Sequence, residues 1–138
     1  MYVVVNMIEP LGASPFSPSW YLHLVEAWNL PSNLEDQIAL AGAGPVVFIV
    51  CEVGGLELRS ILEWNPEGKA RVVSMEDQSM PSFRASRSIW LEFVSGRLSA
   101  VTAVLYRKIR FQGPMTFAIK YGPEFDRLAR IARAIENI

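Results

Sequence analysis

The chain has 138 residues, of which 51% are apolar and 20% charged, and its 13 Lys and Arg against 14 Asp and Glu give a formal net charge of -1. This length favours a single domain over residues 1–138, and the apolar excess excludes an intrinsically disordered chain. A chain without a basic excess also lacks the bulk charge of proteins that coat nucleic acid, so we expect no nucleic-acid partner.

The residues that most often carry catalysis and metal binding are scarce. The chain has one cysteine, Cys51, and one histidine, His23. One cysteine forms no intrachain disulfide, and neither residue has the neighbours of a nucleophile, a base or a metal cluster. No uncharged window reaches the ~20 residues of a membrane-spanning helix, and the start lacks the basic region of a signal peptide. We therefore expect a cytoplasmic protein that is not an enzyme and holds no metal or other cofactor.

The first part of the chain predicts an arm and two helices. Residues 1–31 comprise an irregular, proline-rich arm, with a short strand predicted at Tyr2–Val5, and a helix at Trp20–Leu30 that has near-helical apolar spacing. Ser32 and Glu35 have the spacing of a capping box, which indicates the start of a second helix.

Three strands then predict a β-meander. Val46–Val53 is rich in β-branched residues, Leu56–Trp64 alternates between apolar and polar side chains, and Lys69–Met75 provides the third strand. Gly54-Gly55 predicts a tight hairpin turn between the first two strands.

The alternation also predicts which side chains of these strands face the interior. In the first strand Val47 and Ile49 share one face, whereas Glu52 lies on the other. Because a carboxylate favours the solvated face, we predict that Val47 and Ile49, or Leu58 beside them, face the interior.

The second half predicts further strands and short helices. Ser88 and Ser99 are the predicted N-caps of two of these helices. In chain order the segments are a strand at Ser82–Ser88, helices at Ile89–Ser95 and Ala100–Tyr106, a strand at Arg107–Gly113 and a terminal helix at Glu124–Asn137. The predicted class is α+β: a five-stranded, mostly antiparallel sheet, made of the meander and two later strands and covered by helices.

Residues 83–121 carry a family resemblance. An extended segment leads to a helix in which Trp90 and Phe93 precede Gly96, followed by a helix capped by Ser99 and an alternating strand that ends in glycine. This succession resembles the sterol carrier protein-2 (sterol-transfer) family, and the upstream hairpin extends the resemblance to residues 32–121. The resemblance implies an apolar tunnel between sheet and helices that binds sterols, fatty acids, acyl-coenzyme A or other lipids without chemistry.

The predicted function is therefore non-catalytic carriage of an apolar small molecule in an internal tunnel. The predicted lining consists of apolar side chains from the sheet, the short helices and the last third of the chain: Val47, Ile49, Leu58, Trp90, Phe93, Val101, Leu105, Met115, Phe117, Phe125 and Leu128. The alternative is an interaction or dimerisation module of the same fold, which would form a homodimer and fill its pocket with Phe16, Trp20 and Tyr21 of its own arm.

Charge is distributed unevenly along the chain. Residues 1–96 hold five basic and eleven acidic side chains, whereas residues 97–138 hold eight and three. In the terminal helix Arg127, Arg130 and Arg133 flank an apolar face. This pattern is typical of a packed helix with a solvated rim, and the alternative is weak contact with an anionic membrane surface.

Overall fold

A computed structural model describes residues 14–136, so the strand predicted at Tyr2–Val5 lies outside the described residues. Three short 3-10 turns occur at Pro31–Asn33, Val53–Gly55 and Gly122–Glu124. The helices and strands follow one another as α1 (Pro18–Trp28), α2 (Leu34–Ala39), β1 (Gly44–Cys51), β2 (Glu57–Trp64), β3 (Ala70–Val73), β4 (Ser82–Ser86), α3 (Arg87–Ser95), α4 (Ala100–Leu105), β5 (Arg110–Gln112), α5 (Met115–Tyr121) and α6 (Phe125–Glu136).

The five strands form one mixed sheet in the order β3-β2-β1-β4-β5. β1, β2 and β3 pair antiparallel as a meander, and β4 pairs antiparallel with β5, whereas β1 and β4 run parallel. The predicted α+β class, the meander and the mostly antiparallel sheet are confirmed. The parallel pair arises because the chain crosses back after β3 to add β4 on the free side of β1.

The predicted facing of β1 is wrong. Val47 and Ile49 form a small buried cluster with Ile61 on the sheet face away from the main core. Glu52 misled the prediction because it lies beyond the end of β1, where its carboxylate pairs with Arg87 at 2.8 Å and does not report the alternation of the strand. The positions of β1 that belong to the main core are Val46, Phe48 and Val50.

The connection between β1 and β2 is longer than the predicted tight turn. Residues 52–56 form the loop, with a 3-10 turn at its centre and a hydrogen bond from the backbone N–H of Glu52 to the carbonyl of Leu56 at 2.7 Å. Gly54 and Gly55 both adopt φ of 84°, a left-handed conformation that glycine reaches without steric cost. The glycine pair therefore marks the hairpin but not its length.

Serine caps decide where the two short helices of the second half begin. Ser99 caps α4 as predicted, with its hydroxyl accepting a hydrogen bond from the backbone N–H of Thr102 at 3.2 Å. The cap of α3 is Ser86, which accepts from the N–H of Ile89, so the prediction of Ser88 is wrong by two residues. β4 consequently ends earlier and α3 begins earlier than the sequence indicates.

The capping box predicted from Ser32 and Glu35 is also wrong. α2 begins at Leu34 after a 3-10 turn, and its N-cap residue Asn33 makes no side-chain capping bond. The Asn33 amide instead donates to the carbonyl of Ala27 at 2.7 Å. The start of α2 is therefore stabilised by this hydrogen bond to α1 and not by a local capping bond.

A buried carboxylate joins α2 to α6. Asp36 is 4% exposed, and its Oδ1 accepts from Arg130 Nη2 at 2.6 Å and from Arg127 Nη1 at 3.1 Å. Burial alone would raise the pKa of Asp36, but the hydrogen bonds and charges of Arg130 and Arg127 outweigh it and lower the pKa below its usual value. Arg127 also pairs with Glu124 at 2.8 Å, which extends the cluster to the 3-10 turn before α6.

Replacing Asp36 by asparagine should lower the unfolding free energy at neutral pH by about 2 kcal/mol, because the two arginines lose a buried partner but remain half exposed. Since the folded-state pKa is lowered, the ionised carboxylate stabilises the fold above the unfolded pKa, and this contribution disappears as pH falls through the folded value. Urea unfolding should therefore separate wild type from Asp36→Asn at pH 7 and bring them together at strongly acidic pH. Glu35→Gln, at the exposed neighbouring position, is the control and should change little; equal losses for both variants would contradict the assignment.

Candidate functional site

An apolar cavity of about 30 Å³ lies between the sheet and the helices α1, α3 and α6. Its wall is made of aromatic, aliphatic and alanine side chains: Phe16, Trp20, Tyr21, Leu24, Phe48, Trp90, Phe93, Val94, Leu128, Ala129 and Ala132. A space of this size holds one or two molecules as small as water, and an apolar cavity of this kind stays dry.

A second cavity of about 10 Å³ lies deeper, beneath α4 and the start of α6. It shares Phe48, Trp90 and Phe93 with the larger cavity and is completed by Phe83 and Phe125, among others. Ligand pockets for small molecules usually span ~300–1,000 Å³, so each of these two cavities is far too small for a lipid. Neither of these two cavities is the tunnel that the resemblance implies.

Helix α3 is anchored to the sheet by Trp90. Its indole N–H donates to the carbonyl of Ile49 at 2.9 Å, and its ring packs edge-on against Phe93 at 5.8 Å and Phe48 at 6.0 Å between centroids. This bond satisfies the polar atom of a buried tryptophan, so the cavity wall on this side is fixed.

The opposite wall is the segment Pro15–Tyr21, which leads into α1. Phe16, Trp20 and Tyr21 are 4–5% exposed, and successive rings meet edge-on at 5.1 and 5.0 Å. Burial raises the pKa of the Tyr21 hydroxyl well above its usual value. These three side chains fill the space that would otherwise open between the sheet and α3.

This wall carries two local conflicts. Phe16 adopts φ of 70°, a left-handed conformation that is unfavourable for a bulky residue. The Trp20 indole N–H is buried without a hydrogen-bond partner among residues 14–136. Each conflict costs on the order of 1–3 kcal/mol, so this segment is held less firmly than the wall formed by α3.

Arg87 ties the segment to the rest of the domain. Its Nη1 donates to the carbonyl of Pro15 at 3.3 Å, and its guanidinium lies 5.5 Å from the centre of the Phe16 ring. The same guanidinium binds the Glu52 carboxylate through Nε and Nη2, and this pairing lowers the pKa of Glu52. The segment Pro15–Tyr21, which closes the cavity, is therefore held by the Arg87 guanidinium, and Glu52 of the β1–β2 loop orients that guanidinium.

Solved structures resemble the chain over nearly all of its length. A crystal structure of sterol carrier protein 2 matches with a TM-score of 0.71 and 19% identity over 87% of this chain and 98% of that one. The conserved hypothetical protein TT1886 of Thermus thermophilus gives the same TM-score and identity over 88% and 90%. The chain has the sterol carrier protein 2 fold. A sterol carrier protein domain of Helicoverpa armigera matches at TM-score 0.57 and 24% identity over 91% and 96%.

No family model matches the sequence, and no curated protein matches it. The resemblance noted in residues 83–121 therefore corresponds to a shared sterol carrier fold, which the solved structures extend to 87–91% of the chain.

Four of the predicted lining residues meet at the two cavities of the sterol carrier fold. Trp90, Phe93 and Leu128 line the larger cavity, and Phe125 lines the smaller one together with Trp90 and Phe93. They come from α3 and α6, which lie on the same face of the sheet.

The other predicted lining residues lie elsewhere. Leu58 and Phe117 pack at the margin of the main core without lining either cavity. Val101, Leu105 and Met115 are 43%, 72% and 67% exposed, so these three belong to the outer surface. Val47 and Ile49 lie on the far face of the sheet, as described above.

The three arginines of α6 make contacts within the domain. Arg127 and Arg130 bind Asp36, and Arg133 donates to the carbonyl of Val94 at 2.9 Å. The apolar face of α6 is buried, with Leu128 only 5% exposed. α6 is thus a packed helix, and its apolar face is not available to a membrane.

Sequence reasoning did not assign Phe48 to the cavity, although it lines both. The available signal was that Phe48 shares one face of the strand with Val46 and Val50. Glu52 follows the same alternation, and its charge made this face look solvated. Leu24, Val94, Ala129 and Ala132 were also missed, because small and aliphatic residues on a helix face do not distinguish a cavity wall from an ordinary core.

Among residues 14–136, no group of three or more His, Cys, Asp or Glu side chains is arranged to hold a metal ion. Within the same part of the chain, none of the helices is both long and apolar enough to cross a membrane.

Proposed function

We propose that this sterol-carrier-like domain binds an apolar small molecule without chemistry, in the space between the sheet and α3 that Phe16, Trp20 and Tyr21 now fill. The class is a fatty acyl chain, an acyl-coenzyme A or a sterol-like lipid. The observation that carries the proposal is the wholly apolar cavity, which is closed on one side by a conformationally strained aromatic segment.

The size of the cavity defines how binding would occur. A molecule of lipid size needs a few hundred Å³, so the ligand would displace the aromatic side chains of the closing segment. Burial contributes about 25 cal/mol per Å² of apolar surface. A ligand that buries a similar apolar area therefore compensates for the burial energy that the displaced aromatic side chains lose. Release of the strain at Phe16 and hydration of the Trp20 indole N–H then favour the exchange.

The second candidate is an interaction or dimerisation module that keeps its pocket filled. The observation that favours it is the near-complete burial of Phe16, Trp20 and Tyr21 in the space itself. In that case the segment is part of the core, and its removal would create a cavity that the natural protein does not use.

Binding of a fluorescent fatty acid to the full chain and to Trp20→Ala distinguishes the two candidates. If the domain is a carrier, the wild type binds the probe and Trp20→Ala binds it about tenfold more tightly. The reason is that the ligand no longer has to displace the Trp20 side chain, and tenfold corresponds to about 1.4 kcal/mol. The control Leu22→Ala changes an exposed side chain of the same helix and should leave binding unchanged. Probe binding by Trp20→Ala alone favours the self-filled module, and no binding by either protein contradicts carriage. Mass spectrometry of the recovered probe should find it unaltered.

A further inference from the structure

The surface formed by α4, β5 and α5 differs in charge from the rest of the chain. Residues 97–123 contain five basic side chains and no acidic one. Arg97, Arg107, Lys108 and Arg110 are exposed, and none of them forms an ion pair with another residue of the described part of the chain. The arginines of β4 and α6, in contrast, are bound to carboxylates or backbone carbonyls. We call residues 97–123 the α4–α5 surface.

Apolar side chains stand exposed on the same surface. In α4 Val101 and Leu105 are 43% and 72% exposed, and in α5 Met115 and Ile119 are 67% and 71% exposed. Each pair is spaced i,i+4 and therefore lies on one side of its helix. Tyr106, at the end of α4, is 73% exposed. The residues of α4 and α5 other than Tyr106 lie in helices that bury a different face against the core. Packing of the core therefore does not require these exposed side chains to be apolar.

The two helices are neighbours across the edge strand β5. The N–H of Ile109, just before β5, donates to the carbonyl of Ala103 in α4 at 3.1 Å. The ring of Phe111 in β5 stacks on Phe117 of α5 at 6.0 Å between centroids. Both helices therefore adjoin β5, the strand at this edge of the sheet.

We propose that the α4–α5 surface docks on an anionic lipid surface. Exposed aliphatic side chains on short helices, an aromatic residue beside them and unpaired lysine and arginine are the features that place a segment at a membrane interface. The α4–α5 surface itself carries five basic side chains and no acidic one, which attracts it to a negative surface. Because none of these exposed side chains lines either cavity, the inference goes beyond the proposed function and stands without it.

Co-sedimentation of the full chain with phosphatidylcholine vesicles, with and without phosphatidylserine, tests the proposal. We expect binding only when phosphatidylserine is present, and weaker binding as salt is added. The double variant Arg107→Gln/Lys108→Gln should lower the partition coefficient at least about tenfold, since each cation contributes several-fold. Its control, Lys69→Gln/Arg71→Gln, removes the same charge at the opposite edge of the sheet and should have a much smaller effect.

A second pair of variants tests the apolar contribution. Leu105→Gln/Ile119→Gln should also weaken vesicle binding about tenfold, whereas Ile38→Gln/Leu56→Gln, which changes exposed residues elsewhere, should not. Circular dichroism confirms that each variant is folded. Equal losses for test and control pairs, or no binding to phosphatidylserine vesicles, would overturn the proposal. The chain could also bind immobilised polyglutamate as strongly as it binds the vesicles, with no loss of binding in Leu105→Gln/Ile119→Gln. That result would indicate an acidic macromolecule as the partner and would also overturn the proposal. None of these results depends on whether the cavity accepts a ligand.

Discussion

Phe48→Ala should lower the free energy of unfolding by about 3–5 kcal/mol, the range for removing a large aromatic side chain from a core. Phe48 is 6% exposed at the centre of β1, and its ring lies 6.0–6.5 Å from those of Trp64, Phe83, Trp90 and Phe125. The loss should be large because four aromatic neighbours, fixed on four different elements, cannot all move inward to refill the space. Equilibrium unfolding in urea measures it.

The same substitution should also change the interior. Phe48 lines both cavities, so its removal should join them into one apolar space able to bind a small apolar molecule such as benzene, as engineered dry cavities do. Added benzene should raise the melting temperature of Phe48→Ala but not of wild type. Phe48→Leu, which keeps most of the volume, should lose less stability and show a smaller benzene effect. A loss below about 1 kcal/mol for Phe48→Ala would contradict the central position of this side chain.

Gly68→Ala should be nearly as destabilising, by about 3–4 kcal/mol, although it adds only one methyl group. Gly68 adopts φ of 90°, and a Cβ at this position would overlap the backbone carbonyl of Gln37. Its own carbonyl accepts the indole N–H of Trp28 at 2.8 Å, and Gln37 donates to the carbonyl of Trp28 at 2.8 Å. Displacing the turn would therefore disturb α1, α2 and the β2–β3 turn together.

The control for this prediction is Gly55→Ala. Gly55 has a similar φ of 84° but no atom within 4 Å of the position that a Cβ would occupy. It should lose only the ~1–2 kcal/mol that a left-handed conformation costs an L-residue, and the remaining difference measures the steric overlap at Gly68. Thermal unfolding of the two variants side by side gives the comparison. Equal losses would mean that backbone conformation alone explains both glycines.

The strands that the sequence predicted well are those whose two faces differ. β2 was predicted from its alternation, which arises because Leu62 and Trp64 face the main core, whereas Glu57, Arg59 and Glu63 lie on the other face with Ile61. β1 is the central strand and is buried on both faces, so its residues are apolar at every position and their order does not reveal which face meets the helices. Phe48 was missed for that reason, and Glu52 lies outside the strand.

The sequence predicted the cavity lining correctly where helices of more than two turns supply it. Trp90, Phe93 and Leu128 come from helices of more than two turns, whose apolar spacing defines a face. α4 has six residues and buries Ala100 and Ala103, so its bulky residues Val101 and Leu105, chosen from the sequence for their size, lie outside. The physical reason is that a short helix packed closely against its neighbours buries its small side chains.

The covering of the sheet comes from distant parts of the chain. α1 and α6 pack against one another over the core, although almost the whole described sequence separates them. β1 pairs in parallel with β4, and two other strands lie between them in the sequence. Such non-local contacts slow folding because a long loop must close before they form. α1 precedes the meander and covers part of it, but the rest of its apolar face stays uncovered until α6 has been synthesised and has docked. Such transiently exposed surface is prone to aggregation.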